Sequence, residues 1–91
     1  MDLPSFHNYM GNGRDNALCF SMGSIDVYFS YTTPVAFRGC GCRLTVRENN
    51  WGPTTGKHLN NIDGGGLAKK SRISGEEFEA RLRAAMAAER R

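Results

Sequence analysis

Gly23-Ser24-Ile25-Asp26-Val27-Tyr28-Phe29-Ser30-Tyr31 is a tight turn followed by the clearest strand in the chain. Ile25, Val27, Phe29 and Tyr31 alternate with Asp26, Tyr28 and Ser30, the period of a β-strand with one apolar and one polar face. The glycine at the first central position of Gly23-Ser24 suits a two-residue type II′ hairpin turn. Upstream of that turn Ala17-Leu18-Cys19-Phe20-Ser21-Met22 alternates too, placing Leu18, Phe20 and Met22 on the same side. Downstream, Thr32-Thr33-Pro34 is expected to interrupt pairing because Pro34 cannot donate to a ladder. Val35-Ala36-Phe37-Arg38 then reads as a third strand, Gly39-Cys40-Gly41 as a turn, and Cys42-Arg43-Leu44-Thr45-Val46-Arg47 as a fourth. Strands joined by such short turns make an antiparallel meander.

The flanks are less regular. Residues 1–15 carry Pro4, Asn8, Gly11, Asn12, Gly13, Arg14 and Asp15 and read as an irregular arm, pinned by Phe6 and Tyr9. Residues 49–73 read as an ordered loop with one helical turn from Lys57 to Ile62, a flexible break at Gly64-Gly65-Gly66, and a basic linker from Leu67 to Arg72. Residues 74–89 are a helix. Ser74 is a good N-cap and Glu77 completes a capping box. Phe78, Leu82 and Met86 form an apolar stripe, widened by Ala85. Glu77–Arg81 and Glu79–Arg83 are favourable i,i+4 pairs, and Arg90-Arg91 suits the helix dipole. The expectation is one small α+β domain over 1–91: a four-stranded antiparallel sheet packed against a single C-terminal amphipathic helix. That helix should cover Leu18, Phe20, Ile25, Val27, Phe29, Phe37, Leu44 and Val46.

Ninety-one residues and 10.1 kDa suit one domain with a thin core. No apolar run approaches the roughly 20 residues of a membrane span, and Met1-Asp2-Leu3-Pro4 lacks the regions of a signal peptide, so a cytoplasmic protein is expected. Twelve Lys+Arg against nine Asp+Glu leave a net charge of +3. That balance permits acidic or nucleic-acid partners and requires neither. The three cysteines are too few and too odd in number for a disulfide framework. Cys40-Gly41-Cys42 is half of a zinc knuckle that Cys19, His7 and His58 would have to complete, so no metal and no cofactor are expected.

Candidate chemistry is sparse. Gly52-Pro53-Thr54-Thr55-Gly56-Lys57 superficially resembles a phosphate loop, but it has one residue too few between the glycines and His58 where Ser or Thr is required. His58 lacks a triad around it, with Asp63 five residues on and Thr54 and Thr55 weak nucleophiles; it reads as a partly buried loop residue bonded to backbone. Trp51 either plugs the open end of the core or stands as an exposed anchor, and in so small a domain the core role is expected. Tyr28, Arg43 and Arg47, joined by Arg38, would stand on the solvent face of the sheet. Such a face can stack bases and neutralise phosphates, with Lys69, Lys70 and Arg72 adding charge.

Val27-Tyr28-Phe29-Ser30-Tyr31-Thr32-Thr33-Pro34-Val35-Ala36-Phe37, followed by Trp51-Gly52-Pro53-Thr54-Thr55-Gly56-Lys57-His58-Leu59-Asn60, resembles small bacteriophage-encoded proteins of unassigned function. Those proteins share a YFSYxTPVAF strand, a WGxTTGKHLN segment, a basic spacer and a short helix like Glu76-Glu77-Phe78, over about residues 25 to 82. The resemblance implies a phage accessory protein acting in the host cytoplasm, and it implies no catalytic residues. By analogy with such proteins, the expected function is non-enzymatic binding of a host protein complex, as an inhibitor of a defence system such as CRISPR-Cas. The partner-binding residues would be Asn49, Trp51, Thr54, Thr55, Lys57, His58 and Asn60, where the loop spends polar residues a plain connector does not need. The second reading is a DNA- or RNA-binding module using Tyr28, Arg38, Arg43, Arg47, Lys69, Lys70 and Arg72; a monomer or weak homodimer suits either.

Overall fold

The computed structural model describes residues 5–11, 17–39 and 44–89, with side chains described to residue 87. Its centre is the hairpin of strands Leu18–Met22 (β2) and Ile25–Ser30 (β3), with Met22 opposite Ile25. Gly23 has φ +61 while Ser24 does not share the positive sign, the pattern of a type II′ turn. Thr33–Arg38 (β4) and Thr45–Val46 (β5) continue the meander, and Ser5–Asn8 (β1) pairs with β2 on its other side. The class is α+β. The sheet has five antiparallel strands in sequential order rather than four.

The fifth strand comes from the arm expected to be irregular. Phe6 pairs with Phe20, their rings 4.8 Å apart, and the Tyr9 hydroxyl donates to the Phe29 carbonyl at 2.9 Å. The turn residues act only beyond Asn8, whose Oδ1 accepts from the amides of Met10 (2.8 Å) and Gly11 (3.1 Å). Nor does Pro34 end the pairing. It lies opposite Phe29, Ser30 lies opposite Thr33, and the turn is only Tyr31-Thr32. The ladder absorbs Pro34 through a bulge, the usual refuge of a strand proline. Tyr28 faces Ala36 and Phe29 faces Pro34, so Val35 is the extra residue. Val35 and Ala36 are therefore both buried in one cluster.

That cluster overturns the expectation of a solvated face. The single helical turn expected from Lys57 to Ile62 is part of a longer helix, Pro53–Asp63 (α1). It takes in the preceding stretch expected to be loop and packs Leu59, with Ile62 alongside, against Val35, Ala36, Val46, Tyr28 and Leu44. Leu44 and Val46 thus belong to α1's side of the sheet. Pro53 sits in the first turn, where its missing N–H costs nothing. Gly64, at φ +89, ends the helix with its amide on the Asn60 carbonyl at 2.8 Å. Thr55, His58, Leu59 and Ile62 have the i, i+3, i+4, i+7 spacing of one buried face. Thr, Gly and Asn are poor helix formers, so packing rather than propensity holds α1.

The opposite face carries helix Gly75–Glu89 (α2), over the span expected. Phe78 and Leu82 pack on Ile25, Val27 and Phe37, with Phe29, Ile73 and Ala85 at the margin; the Phe37 and Phe78 rings are 5.6 Å apart. Ser74 Oγ accepts from the Glu77 amide at 3.3 Å, and Glu77 meets Arg81 at 2.9 Å. The stripe is shorter than expected, since Met86 is exposed, and Leu18 stands exposed beyond the helix's reach. A 3-10 helix, Gly66–Ser71, replaces the expected linker. Ile73 then bridges to Arg47, its amide bonded to the Val46 carbonyl at 3.0 Å, which covers the outer edge of β5. Gly41, Cys40, Cys42, Arg43, Arg90 and Arg91 lie outside the described residues.

Candidate functional site

Where β3 turns into β4, the chain passes beneath the first turns of α1, and three polar side chains meet in the interior. Ser30 Oγ lies 2.8 Å from His58 Nδ1 and 3.0 Å from Thr55 Oγ1. Ser30 is only 3% exposed and His58 is fully buried. The histidine expected in a loop, bonded to backbone, is instead a helical residue tied to a strand hydroxyl. The rings of Tyr9 and Tyr31 stand 6.0 and 6.1 Å from its imidazole. Tyr9 also meets Tyr28 at 5.4 Å, edge to face. Burial, reinforced by the neighbouring Cys19 and Tyr28, pushes the Tyr9 hydroxyl far above its usual range. Burial likewise raises Tyr28 and the Cys19 thiol, which is paired with Tyr28 across the strands.

Above this polar floor opens a pocket of about 120 Å³, lined by Ser30, Tyr31, Thr33, Val35, Trp51 and Thr55. Its rim is aromatic. Tyr31 is 51% exposed and Trp51 49% exposed, so Trp51 is not the core plug expected of it. Tyr31 holds φ +58, a left-handed conformation that side chains adopt at a cost of about 1–2 kcal/mol. A turn of this kind usually places glycine there. The Arg47 guanidinium lies 4.7 Å from the Trp51 ring centroid and 5.8 Å from that of Phe78, and Arg47 Nη2 reaches Asn50 Oδ1 at 3.3 Å. Asn49 shapes the loop: its Oδ1 accepts from the Trp51 amide at 2.9 Å, and its Nδ2 donates to the Gly52 carbonyl at 3.1 Å.

The seven residues expected to bind a partner therefore divide. Trp51 and Thr55 line the pocket, Asn49 positions the tryptophan, and His58 lies in the floor beneath. Thr54 and Lys57 are exposed on α1, away from the lining. Asn60 belongs to the far end of the helix, where its Oδ1 accepts from Arg72 Nη2 at 3.2 Å. Sequence reasoning missed Ser30, Tyr31, Thr33 and Val35. The signal for Tyr31 was a tyrosine in a tight turn where glycine or asparagine is usual.

The basic set is dispersed. Tyr28 is half-buried under α1, Arg38 is exposed at the end of β4, and Arg47 is engaged with Trp51. Lys69 and Lys70 are exposed on the 3-10 helix. Arg72 is bound to Asp63 through Nε to Oδ2 at 2.8 Å and Nη2 to Oδ1 at 2.9 Å, with both side chains under a tenth exposed. Arg43 lies outside the described residues. Of the residues weighed for zinc, His7 is exposed opposite Cys19, and His58 is in the pocket floor. Among the described residues no group of three or more His, Cys, Asp or Glu could hold a metal, and no helix is long and apolar enough to cross a membrane.

The described residues form a small helix–sheet–helix module with a pocket lined by two exposed aromatic residues at a hairpin tip. The chain belongs to the family of unknown function DUF8033, which matches residues 4–80, from the first strand into α2. No curated protein and no solved structure matches it.

Proposed function

We propose that this protein is a non-enzymatic binding module that engages a protein partner through the Tyr31–Trp51 rim. The observation that carries this reading is the exposure of two large aromatic side chains, about half each, around one pocket. Tyrosine and tryptophan dominate binding hot spots because they offer large rigid area with a polar handle. The strained Tyr31 backbone adds support, since strain of this kind concentrates at functional sites. Ser30 and His58 serve as a structural tie, the hydroxyl being spent on two internal hydrogen bonds. The phage resemblance adds the partner class to assay first, a host complex of a defence system such as CRISPR-Cas.

The test is affinity capture from bacterial lysate with tagged protein, with and without nuclease, comparing the natural chain with Trp51→Ala. A stoichiometric protein complex that survives nuclease and is lost with Trp51→Ala is the expected result. Recovery of nucleic acid alone, lost on nuclease or raised salt, would overturn it.

A further inference from the structure

Resting on that reading of the rim, we propose that the pocket takes a single proline ring from an extended, polyproline-like segment of the partner. Size comes first. A cavity of about 150 Å³ holds benzene, whereas whole small-molecule ligands need about 300 Å³ or more. At about 120 Å³ the pocket has room for one small side chain and not for a whole nucleotide or cofactor.

Charge comes second. The lining consists of three hydroxyl residues, a valine and two aromatic rings, with no ionised group. A carboxylate or phosphate would lose its hydration there and meet no counter-charge, so the occupant is not an anion. An ammonium held over the rings is the rival that the lysine peptide below tests. Arg47 is not a lining residue; it braces the indole from outside the pocket.

Shape comes third. Tyr31 and Trp51 both line the pocket and are each about half exposed, and aromatic faces carry negative charge density that suits the C–H groups of a saturated ring. The half-exposed indole supplies an N–H donor that can meet a peptide carbonyl. A polyproline segment has solvated carbonyls and little chain entropy left to lose, which favours it over a flexible aliphatic segment of equal area.

Trp51 is the one tryptophan in the chain, so its fluorescence reports the pocket directly. Purified full-length protein is titrated with a nine-residue peptide of Ala-Pro-Pro repeats, and with matched peptides in which every proline is Ala, Leu or Lys. A saturable change with the proline peptide, at least tenfold weaker for each of the others, is expected. Tyr31→Ala should lose the response and Tyr31→Phe should keep it, each checked for an unchanged amide NMR fingerprint. No saturable response to the proline peptide, a response to the alanine, leucine or lysine peptide within tenfold of it, or retention in Tyr31→Ala would overturn the proposal. The two readings fail separately. Lysate capture lost with Trp51→Ala alongside no proline preference removes only the proline assignment. Proline binding with no Trp51-dependent capture removes the partner reading.

Discussion

Replacing Arg72 with alanine asks whether this guanidinium is a structural tie or a free cation. Asp63 accepts three hydrogen bonds, from Arg72 Nε at 2.8 Å, Arg72 Nη2 at 2.9 Å and the Gly65 amide at 2.8 Å. The Arg72 and Asp63 side chains are 8% and 7% exposed. Arg72→Ala removes two of the three bonds and leaves a part-buried carboxylate with one amide donor. Charge-assisted hydrogen bonds contribute about 1.5–3 kcal/mol each, and breaking a buried pair by removing one partner costs about 3–5 kcal/mol. A loss of about 3 kcal/mol is therefore expected. The whole domain holds only about 5–14 kcal/mol at this length. Near the midpoint the loss corresponds to a fall of about 12–24 °C in Tm.

Arg72→Lys keeps the charge but not the two-pronged geometry and should fall between the two. Acid dependence gives a second readout. Burial alone would raise the Asp63 carboxyl, but the Arg72 hydrogen bonds, the Gly65 amide and the Arg72 charge outweigh it and hold the group below the usual carboxylate range. A carboxyl depressed in the folded state stabilises fully above its unfolded pKa of about 3.9, and the contribution fades as pH falls through the lower folded value. Urea unfolding at pH 7 and at successive steps below pH 5 should show a steeper acid loss in the natural chain than in Arg72→Ala. A cost under about 0.5 kcal/mol, the range of ordinary surface changes, with superimposable pH profiles would refute the tie and free Arg72 for phosphate contacts.

Leu59→Ala should cost about 2–5 kcal/mol by denaturant unfolding, because Leu59 fills the α1 side of the core; Leu67→Ala, on the exposed 3-10 helix, should change stability by less than about 0.5 kcal/mol. Ser30→Ala removes the hydrogen bonds to His58 and Thr55 in a buried site and should destabilise by about 1–3 kcal/mol, checked by thermal unfolding. In Tyr31→Gly, relief of about 1–2 kcal/mol of left-handed strain is offset by glycine's chain entropy of about 0.5–1 kcal/mol and the lost half of ring burial. Stability should stay within about 1 kcal/mol while capture of the partner is lost, measured by calorimetry and pull-down in parallel.

The central hairpin and α2 were legible in the sequence because each carries an unambiguous period and its own punctuation: alternation ended by Gly23, and an i, i+4 stripe opened by Ser74. α1 was legible only as the turn from Lys57 to Ile62, since Pro53-Thr54-Thr55-Gly56 has low helix propensity and the helix takes its stability from packing of Leu59 on Val35, contacts formed only after folding. The same hidden helix hid the site. Ser30 reads as an outward strand residue until α1 covers that face, after which it becomes the pocket floor. The bulge at Val35 is equally silent, because the pattern before it cannot say that two consecutive residues will point the same way. Trp51, Thr55 and Asn49 could be selected as unusual, but their grouping with Tyr31 is a product of tertiary packing.

The most direct measurement places 5-fluorotryptophan at Trp51 and follows its single fluorine resonance in the free protein and in the complex captured from lysate. The free protein should give a solvent-sensitive resonance that shifts on complex formation and loses its response to exchanging H2O for D2O. An unchanged, still solvent-sensitive resonance in a saturated complex would place the partner elsewhere on the surface and contradict the assignment of the rim.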